Sequence, residues 1–69
     1  MDTAIIDELR SEKRLLNLRE CGAVIGFSEK TVRAWVRAGK MDAFLLGSEW
    51  RIASDVLADF LEERWVKAA

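Results

Sequence analysis

The chain of 69 residues contains no histidine, no proline, no tyrosine and a single cysteine. Without histidine it lacks the commonest general base, the usual activator of a serine or cysteine nucleophile, and a common zinc ligand. One cysteine cannot form an internal disulfide bond. We therefore expect neither an enzyme nor a metal protein, and we expect no cofactor.

Long apolar runs are also missing, since purely apolar stretches such as residues 44–46 extend over only a few positions. A membrane-spanning helix needs about 20 apolar residues. The N-terminus has neither the basic start nor the long apolar stretch of a secretion signal. These absences favour a cytoplasmic protein without a membrane partner.

The composition suits one small folded domain, because 51% of the residues are hydrophobic and the chain has three Trp and three Phe. The formal net charge is −1, which by itself would argue against nucleic acid as a partner. The charge is unevenly distributed, however, because residues 28–40 contain four basic side chains and only one acidic one, Glu29. The basic residues of this segment are Lys30, Arg33, Arg37 and Lys40.

The first segment, from Thr3 to about Leu16, has apolar residues at partly helical spacing around a charged middle. We predict a helix there. We assign residues 1–16 to an N-terminal helical extension and residues 17–69 to the domain proper. No internal repeat or flexible linker separates the two parts.

Two short helices are predicted next. Asn17 and Glu20 have the spacing of a capping box, which opens the first of them. Gly26 suits the left-handed conformation that ends this helix, and Ser28 is placed to cap the next one over residues 29–38.

A hairpin and a last helix complete the predicted fold. The stretch 43–53 has two apolar runs around Gly47 and Ser48, which is typical of a hairpin with a short turn. Ser54 is placed to cap a final helix that runs to about Lys67. The sequence therefore predicts a mainly α fold with a small β-hairpin.

The helix predicted over residues 29–38 has two different faces. Lys30, Arg33 and Arg37 fall within an arc of about 60° at the helical repeat. A separate arc holds the apolar residues Val32, Trp35 and Val36. Two helices joined by a three-residue turn are typical of a helix-turn-helix, whose second helix lies in the DNA major groove. The alternative is the solvated face of an ordinary surface helix, but such faces usually mix both signs of charge.

Large apolar residues at burial spacing are expected to form the core; they are Trp35, Phe44, Trp50, Ile52, Leu57, Phe60 and Leu61. Cys21 is expected to be a small buried side chain and not a reactive thiol. Arg51 points away from its neighbours in a regular strand, so it either faces DNA or forms a salt bridge with a nearby carboxylate.

The run from Asn17 to Leu61, 45 of the 69 residues, resembles the small winged helix-turn-helix domains of the excisionase group. Its segment "TVRAWVRAGKM" is also similar to the recognition segment of MerR-type regulators. The resemblance implies a winged helix-turn-helix fold in which residues 28–37 enter the major groove and the hairpin acts as a wing. The expected DNA-binding residues are Ser28, Lys30, Thr31, Arg33, Arg37, Lys40 and Arg51.

Two positions depart from the pattern of these domains. Glu49 stands near the wing tip, where arginine or lysine is usual, and Cys21 and Gly22 replace the usual alanine pair. The first departure weakens the expected contact between wing and phosphate. The second keeps the small volume that close helix packing needs.

The first hypothesis is a phage or prophage excisionase, a recombination directionality factor that binds and bends attachment-site DNA in the bacterial host cytoplasm, associated with the nucleoid. Its expected partners are double-stranded DNA, an integrase and further copies bound cooperatively on DNA. A second hypothesis is a small winged-helix transcriptional regulator with residues 2–16 as a dimerisation helix; a palindromic site and a dimer in solution would favour it. A third is a protein adaptor, as in phage DNA packaging, whose basic helix docks on an acidic partner.

Overall fold

The computed structural model describes residues 3–67, which form four helices and a three-stranded antiparallel sheet. The elements in chain order are α1 (Ala4–Glu12), β1 (Leu15–Leu16), α2 (Leu18–Ile25), α3 (Glu29–Arg37), β2 (Phe44–Leu46), β3 (Glu49–Ala53) and α4 (Ser54–Glu63). The predicted mainly α fold with a hairpin is confirmed, and the architecture is that of a winged helix-turn-helix domain. Residues 1, 2, 68 and 69 of the predicted two-part division lie outside the described residues, and the division stays a prediction.

The predicted first helix is shorter than expected. Helix α1 ends at Glu12, and Lys13 adopts a left-handed conformation with φ of 49°. The two leucines that follow form β1, which pairs antiparallel with β3 in a sheet of order β1-β3-β2. The prediction of a helix to Leu16 is therefore wrong. Pairing with β3 places Leu16 opposite Ile52, where both side chains are fully buried, and this burial outweighs local helical preference.

Helix α1 packs against α4. Ile6 and Leu9 are buried between them, and Arg10 lies 2.9 Å from Asp59 and 2.7 Å from Glu62. The hydrogen bond with Asp59 is the main reason that the pKa of Arg10 is raised above its usual value. The apolar side of α1 is thus used within its own chain.

The start of α2 is capped as the sequence predicts. The Asn17 side chain accepts a hydrogen bond from the Glu20 amide at 2.7 Å, and the Glu20 carboxylate accepts one from the Asn17 amide at 2.8 Å. This reciprocal capping box satisfies two backbone donors that the helix itself leaves free. Its presence explains why α2 begins at Leu18.

Helix α4 differs from its prediction at both ends. Its N-cap is Ala53, and Ser54 is a fully buried residue whose hydroxyl accepts from the Arg14 amide at 3.1 Å while its own amide donates to the Arg14 carbonyl at 2.8 Å. Ser54 therefore joins the chain before β1 to the start of α4 and caps nothing. The helix ends at Glu63, so the predicted extension to Lys67 is wrong.

The core contains most of the residues that the sequence predicts. Ile52, Leu57 and Phe60 are buried, and Trp35, Trp50 and Leu61 are partly buried against them. Phe44 is the exception: it lies 52% exposed on β2, an edge strand whose three residues are all exposed. The fully or almost fully buried residues that complete the core are Ile6, Leu9, Leu16, Leu18, Cys21, Val32, Met41 and Ala58.

Candidate nucleic-acid interface

The turn between α2 and α3 depends on a close backbone approach at Gly22. The amides of Gly26 and Phe27 both donate to the Gly22 carbonyl, at 2.7 Å and 2.9 Å, and Gly26 has the predicted positive φ, 80°. A Cβ atom on Gly22 would overlap the carbonyl oxygen of Phe27. Any side chain at residue 22 would therefore push α3 away from α2.

Cys21, beside this glycine, is fully buried as predicted. Burial, with a smaller contribution from the charge of Glu20, raises the pKa of the Cys21 thiol to about 11. The thiol therefore stays protonated near neutral pH, where a thiolate would be needed for nucleophilic chemistry. Cys21 acts as a small packing residue between α2 and its neighbours.

The apolar face of α3 anchors the helix to the domain. Val32 is fully buried, and the Trp35 ring contacts the Phe27 ring edge-on at 5.0 Å and the Phe60 ring at 5.2 Å between centroids. Val36 is partly buried against the same core. The predicted apolar arc of α3 is thus the packed side, which leaves its basic side outward.

Two cations on this outward side are unpaired. Lys30 and Arg37 are exposed, and neither side chain forms an ion pair or hydrogen bond with any residue in the range 3–67. Because no carboxylate of the described chain neutralises them, both charges remain available to a polyanion. They are the strongest electrostatic feature of α3.

Arg33, the third cation of the predicted arc, is paired. Its Nη2 atom donates to Glu29 Oε2 at 2.8 Å across one helical turn, and both side chains are partly exposed. An exposed pair with this spacing contributes only about 0.3–0.5 kcal/mol. Glu29 therefore reduces the local positive charge without binding Arg33 strongly.

The first turn of α3 holds the two predicted hydroxyl residues. Ser28 caps the helix as expected, accepting from the Thr31 amide at 3.2 Å, and the hydroxyls of Ser28 and Thr31 share a hydrogen bond at 3.0 Å. Each hydroxyl is thus already engaged in the cap. Either one would have to keep or exchange that bond in order to contact a ligand.

The wing carries the last predicted cation of this region, Arg51. Its Nη2 atom donates to Glu49 Oε1 at 2.7 Å, and its Nη1 atom donates to the Trp50 carbonyl at 2.9 Å. Of the two orientations that the sequence left open, the structure shows the salt bridge. The wing therefore presents a neutralised pair near its tip.

A cleft of about 300 Å³ lies between α2, α3 and the wing. It brings Arg33 and Arg51 together with Arg19, an exposed residue at the start of α2 that has no side-chain partner in the described part of the chain. The sequence analysis did not identify Arg19, because the adjacent Glu20 cancels its charge in the net charge of that segment. Its only signal is its place in the first turn of the first helix of the pair, the helix that crosses the DNA backbone in such motifs.

Lys40 lies apart from this cleft. It borders a second groove of about 390 Å³, together with Arg64 and the aromatic side chains of Phe27, Trp35 and Phe60. The predicted site residues therefore occupy three places: the outward face of α3, the cleft beside the wing, and the end of α3.

Two further features bear on the site. Across residues 3–67, no group of three or more His, Cys, Asp and Glu side chains is arranged to hold a metal ion. In the same part of the chain, every helix is too short or too polar to span a bilayer.

Comparison with known proteins agrees with the geometry. The family model of the helix-turn-helix domain matches residues 15–64, which include β1, both helices of the motif, the wing and α4. No curated protein and no solved structure matches the chain. A match of this extent, together with the packing of α3 on α2, shows that the chain belongs to the helix-turn-helix domain family, and such a domain indicates DNA binding.

Proposed function

We propose that the protein binds double-stranded DNA sequence-specifically, with α3 in the major groove, and that it acts as an excisionase-type factor that bends attachment-site DNA for an integrase. One observation carries the DNA-binding part. Among residues 3–67, Lys30 and Arg37 are unpaired cations on the outward face of the second helix of a helix-turn-helix. The protein contributes no catalysis in this proposal.

Phosphate attraction supplies most of the affinity. Each basic side chain that contacts a phosphate releases counterions, so binding weakens as salt rises, with a log-log slope of about −0.9 per contact. About four contacts per copy give a slope near −3 to −4. An arginine that reaches guanine with two parallel hydrogen bonds adds about 1–3 kcal/mol of sequence discrimination.

The proposed contact residues are the seven that the sequence predicts, with Arg19 added from the structure: Ser28, Lys30, Thr31, Arg33, Arg37, Lys40, Arg51 and Arg19. Lys30 and Arg37 can contact phosphate without breaking an ion pair of the described chain. Arg33 and Arg51 must first exchange a carboxylate for a phosphate. We therefore expect the unpaired cations to dominate.

The excisionase role has two supports. The helix-turn-helix domain family includes excisionase-like members. A single small domain also makes few DNA contacts, so useful affinity requires neighbouring copies or a second DNA-bound protein.

A small transcriptional regulator that binds as a dimer is the second candidate, and the open apolar edge strand β2 favours it. Helix α1 fits the role of a dimerisation helix poorly, because Ile6 and Leu9 are already buried against α4. Any dimer would more readily use another surface.

Gel-shift titration with random duplex DNA at low salt tests the DNA-binding part. Selection of preferred sites, footprinting and circular-permutation bending assays on the selected DNA then test the excisionase part. We expect salt-dependent binding, several adjacent protected sites and a bend. One isolated palindromic site without a bend would replace the excisionase proposal with the regulator, and no binding to any duplex would leave the adaptor hypothesis.

A further inference from the structure

Three arginines from three different elements line the cleft beside the wing. Arg19 lies in the first turn of α2, Arg33 in the middle of α3 and Arg51 on β3, and all three border the same space of about 300 Å³. This volume is at the lower end of the range for small-ligand sites. Because most of the lining is charged or polar, the cleft suits a small anion and not an apolar ligand.

The charges that line the cleft leave one positive charge in excess. Besides the three arginines, the lining contains two carboxylates, Glu29 and Glu49, which gives a net charge of +1. The excess belongs to Arg19, which has no side-chain partner among residues 3–67. A phosphodiester group of the DNA backbone carries one negative charge, so a single such group balances the cleft.

Both carboxylates leave donors of their arginines free. Glu29 accepts from Arg33 through one nitrogen, Nη2, at 2.8 Å, and Glu49 accepts from Arg51 Nη2 at 2.7 Å. A guanidinium has five N–H donors, and its planar shape suits bidentate recognition of a phosphate. The two carboxylate side chains are 48% and 66% exposed, so their ion pairs are weak. Each of these arginines can therefore donate to an anion in the cleft.

The position of the cleft in the motif identifies the anion. In a helix-turn-helix the second helix lies in the major groove and the first helix crosses the DNA backbone. With α3 in the groove, the space between α2, α3 and the wing lies beside one strand of the duplex. The anion that reaches this space is a phosphate of that strand, and such contacts fix the register of a protein on DNA.

We propose that this cleft binds a single backbone phosphate, which Arg19, Arg33 and Arg51 share, so that the three arginines act as one contact. The inference rests on the proposed function, since it requires α3 in the major groove. It also accounts for the number of contacts. The other three basic residues of the proposed interface contact one phosphate each, and with the shared phosphate they give the total of about four.

Salt titrations of single and combined variants test the shared phosphate. Arg19→Gln, Arg33→Gln and Arg51→Gln, singly and together, are titrated with random duplex DNA by fluorescence anisotropy at several salt concentrations. We expect each single variant to lose affinity about three- to tenfold and the triple variant to lose less than the product of these losses. The log-log salt slope of the triple variant should be about 0.9 less steep, because one phosphate contact is lost. Losses that multiply, with a slope about 2.7 less steep, would indicate three separate phosphates and overturn the proposal.

The matched control is Lys30→Gln with Arg37→Gln, outside the cleft. Contacts with two separate phosphates give losses that multiply and a slope change of about 1.8. Circular dichroism checks that each variant is folded. If Arg51→Gln fails to fold, the double variant of Arg19→Gln and Arg33→Gln decides alone, since its slope changes by about 0.9 for one shared phosphate and by about 1.8 for two.

Uncharged backbone groups locate the shared phosphate. In a duplex that the wild type selects, each phosphate in turn is replaced by a neutral methylphosphonate. We expect one position at which the wild type loses about tenfold or more in affinity, whereas the chain with Arg19→Gln and Arg33→Gln loses less than about twofold. Two positions, each responding to a different arginine, would overturn the shared site and leave the DNA-binding function in place. No binding to any duplex would overturn that function, and the shared site with it.

Discussion

Helix α3 and the wing are the two parts of a winged helix-turn-helix that lie beside DNA, yet here they present opposite chemistry. On the outward face of α3, Lys30 and Arg37 have no ion-pair partner in the described part of the chain. The wing shows a neutralised pair, Arg51 with Glu49, and an apolar edge strand β2. The fold thus positions both elements but does not decide what each contacts. Charge and exposed surface differ between the two elements, and the proposal that α3 makes the DNA contact rests on that difference.

The largest expected effect comes from removing the unpaired charges of α3. Lys30→Gln with Arg37→Gln should reduce DNA affinity about 100-fold at low salt and make the log-log salt slope about 1.8 less steep, because two phosphate contacts are lost. Fluorescence-anisotropy titrations at several salt concentrations would measure both quantities.

The matched control for that double variant is Lys13→Gln with Lys67→Gln, which changes the net charge equally at two exposed positions outside α3 and the wing. We expect less than a threefold loss there, mainly through long-range attraction. Equal losses in the two double variants would show that total charge, and not the face of α3, controls binding.

The next effect compares two glycines. Gly22→Ala should lower the free energy of unfolding by about 1–3 kcal/mol, because the new methyl group overlaps the Phe27 carbonyl and separates α3 from α2. In Gly47→Ala, at the wing turn, the new methyl group has no atom of the described residues within 4 Å. Only the strain of a φ of 65° remains, and it costs about 1 kcal/mol.

Urea unfolding followed by circular dichroism would measure these stabilities. Under conditions in which each variant is folded, DNA affinity should fall for Gly22→Ala and stay near wild type for Gly47→Ala. A larger affinity loss for Gly47→Ala would mean that the wing, and not α3, makes the main contact.

A gain of binding is expected when the wing acquires charge. Glu49→Lys releases Arg51 and reverses one charge, so DNA affinity should rise about tenfold and the salt slope should steepen by about 1–2. Glu8→Lys is the control, since it makes the same charge reversal at an exposed position on α1. If both variants gain equally in a gel-shift titration, the wing does not lie near the DNA.

The smallest effect concerns the pair within α3. Glu29→Gln should raise DNA affinity about two- to fivefold by releasing Arg33, and should slightly lower the melting temperature because a carboxylate near a helix N-terminus contributes about 0.3–1 kcal/mol. Glu12→Gln, which removes the same charge at the end of α1 and leaves Arg14 paired with Glu20, serves as the control. An unchanged affinity for Glu29→Gln would indicate that Arg33 makes no phosphate contact.

The predictions from sequence succeed where neighbours along the chain supply the interaction. The capping box of Asn17 and Glu20, the left-handed Gly26 and the cap at Ser28 each involve residues at most four positions apart. The two faces of α3 follow equally from helical periodicity. The pairing of Arg33 with Glu29 also has a local origin, spacing by one helical turn, but it was not predicted.

The failures involve partners that are far away in the chain. Leu15 and Leu16 become a strand because β3, more than 30 residues later, offers hydrogen bonds and burial. Ser54 is drawn from a capping role by the backbone of Arg14, 40 positions earlier. Phe44 has the composition of a core residue, but the edge position of β2 leaves it exposed.

Interactions between residues close together in the sequence set the helix boundaries of the central motif, its capping groups and the separation of its apolar and basic faces. These features depend on backbone hydrogen bonding and periodicity within a few residues. Within the range 3–67, tertiary packing alone decided that Lys30 and Arg37 stay unpaired, that Arg19 joins the cleft and that β2 keeps an open edge. Each of those outcomes depends on which distant groups come within a few ångströms once the core closes, and periodicity carries no information about such distances.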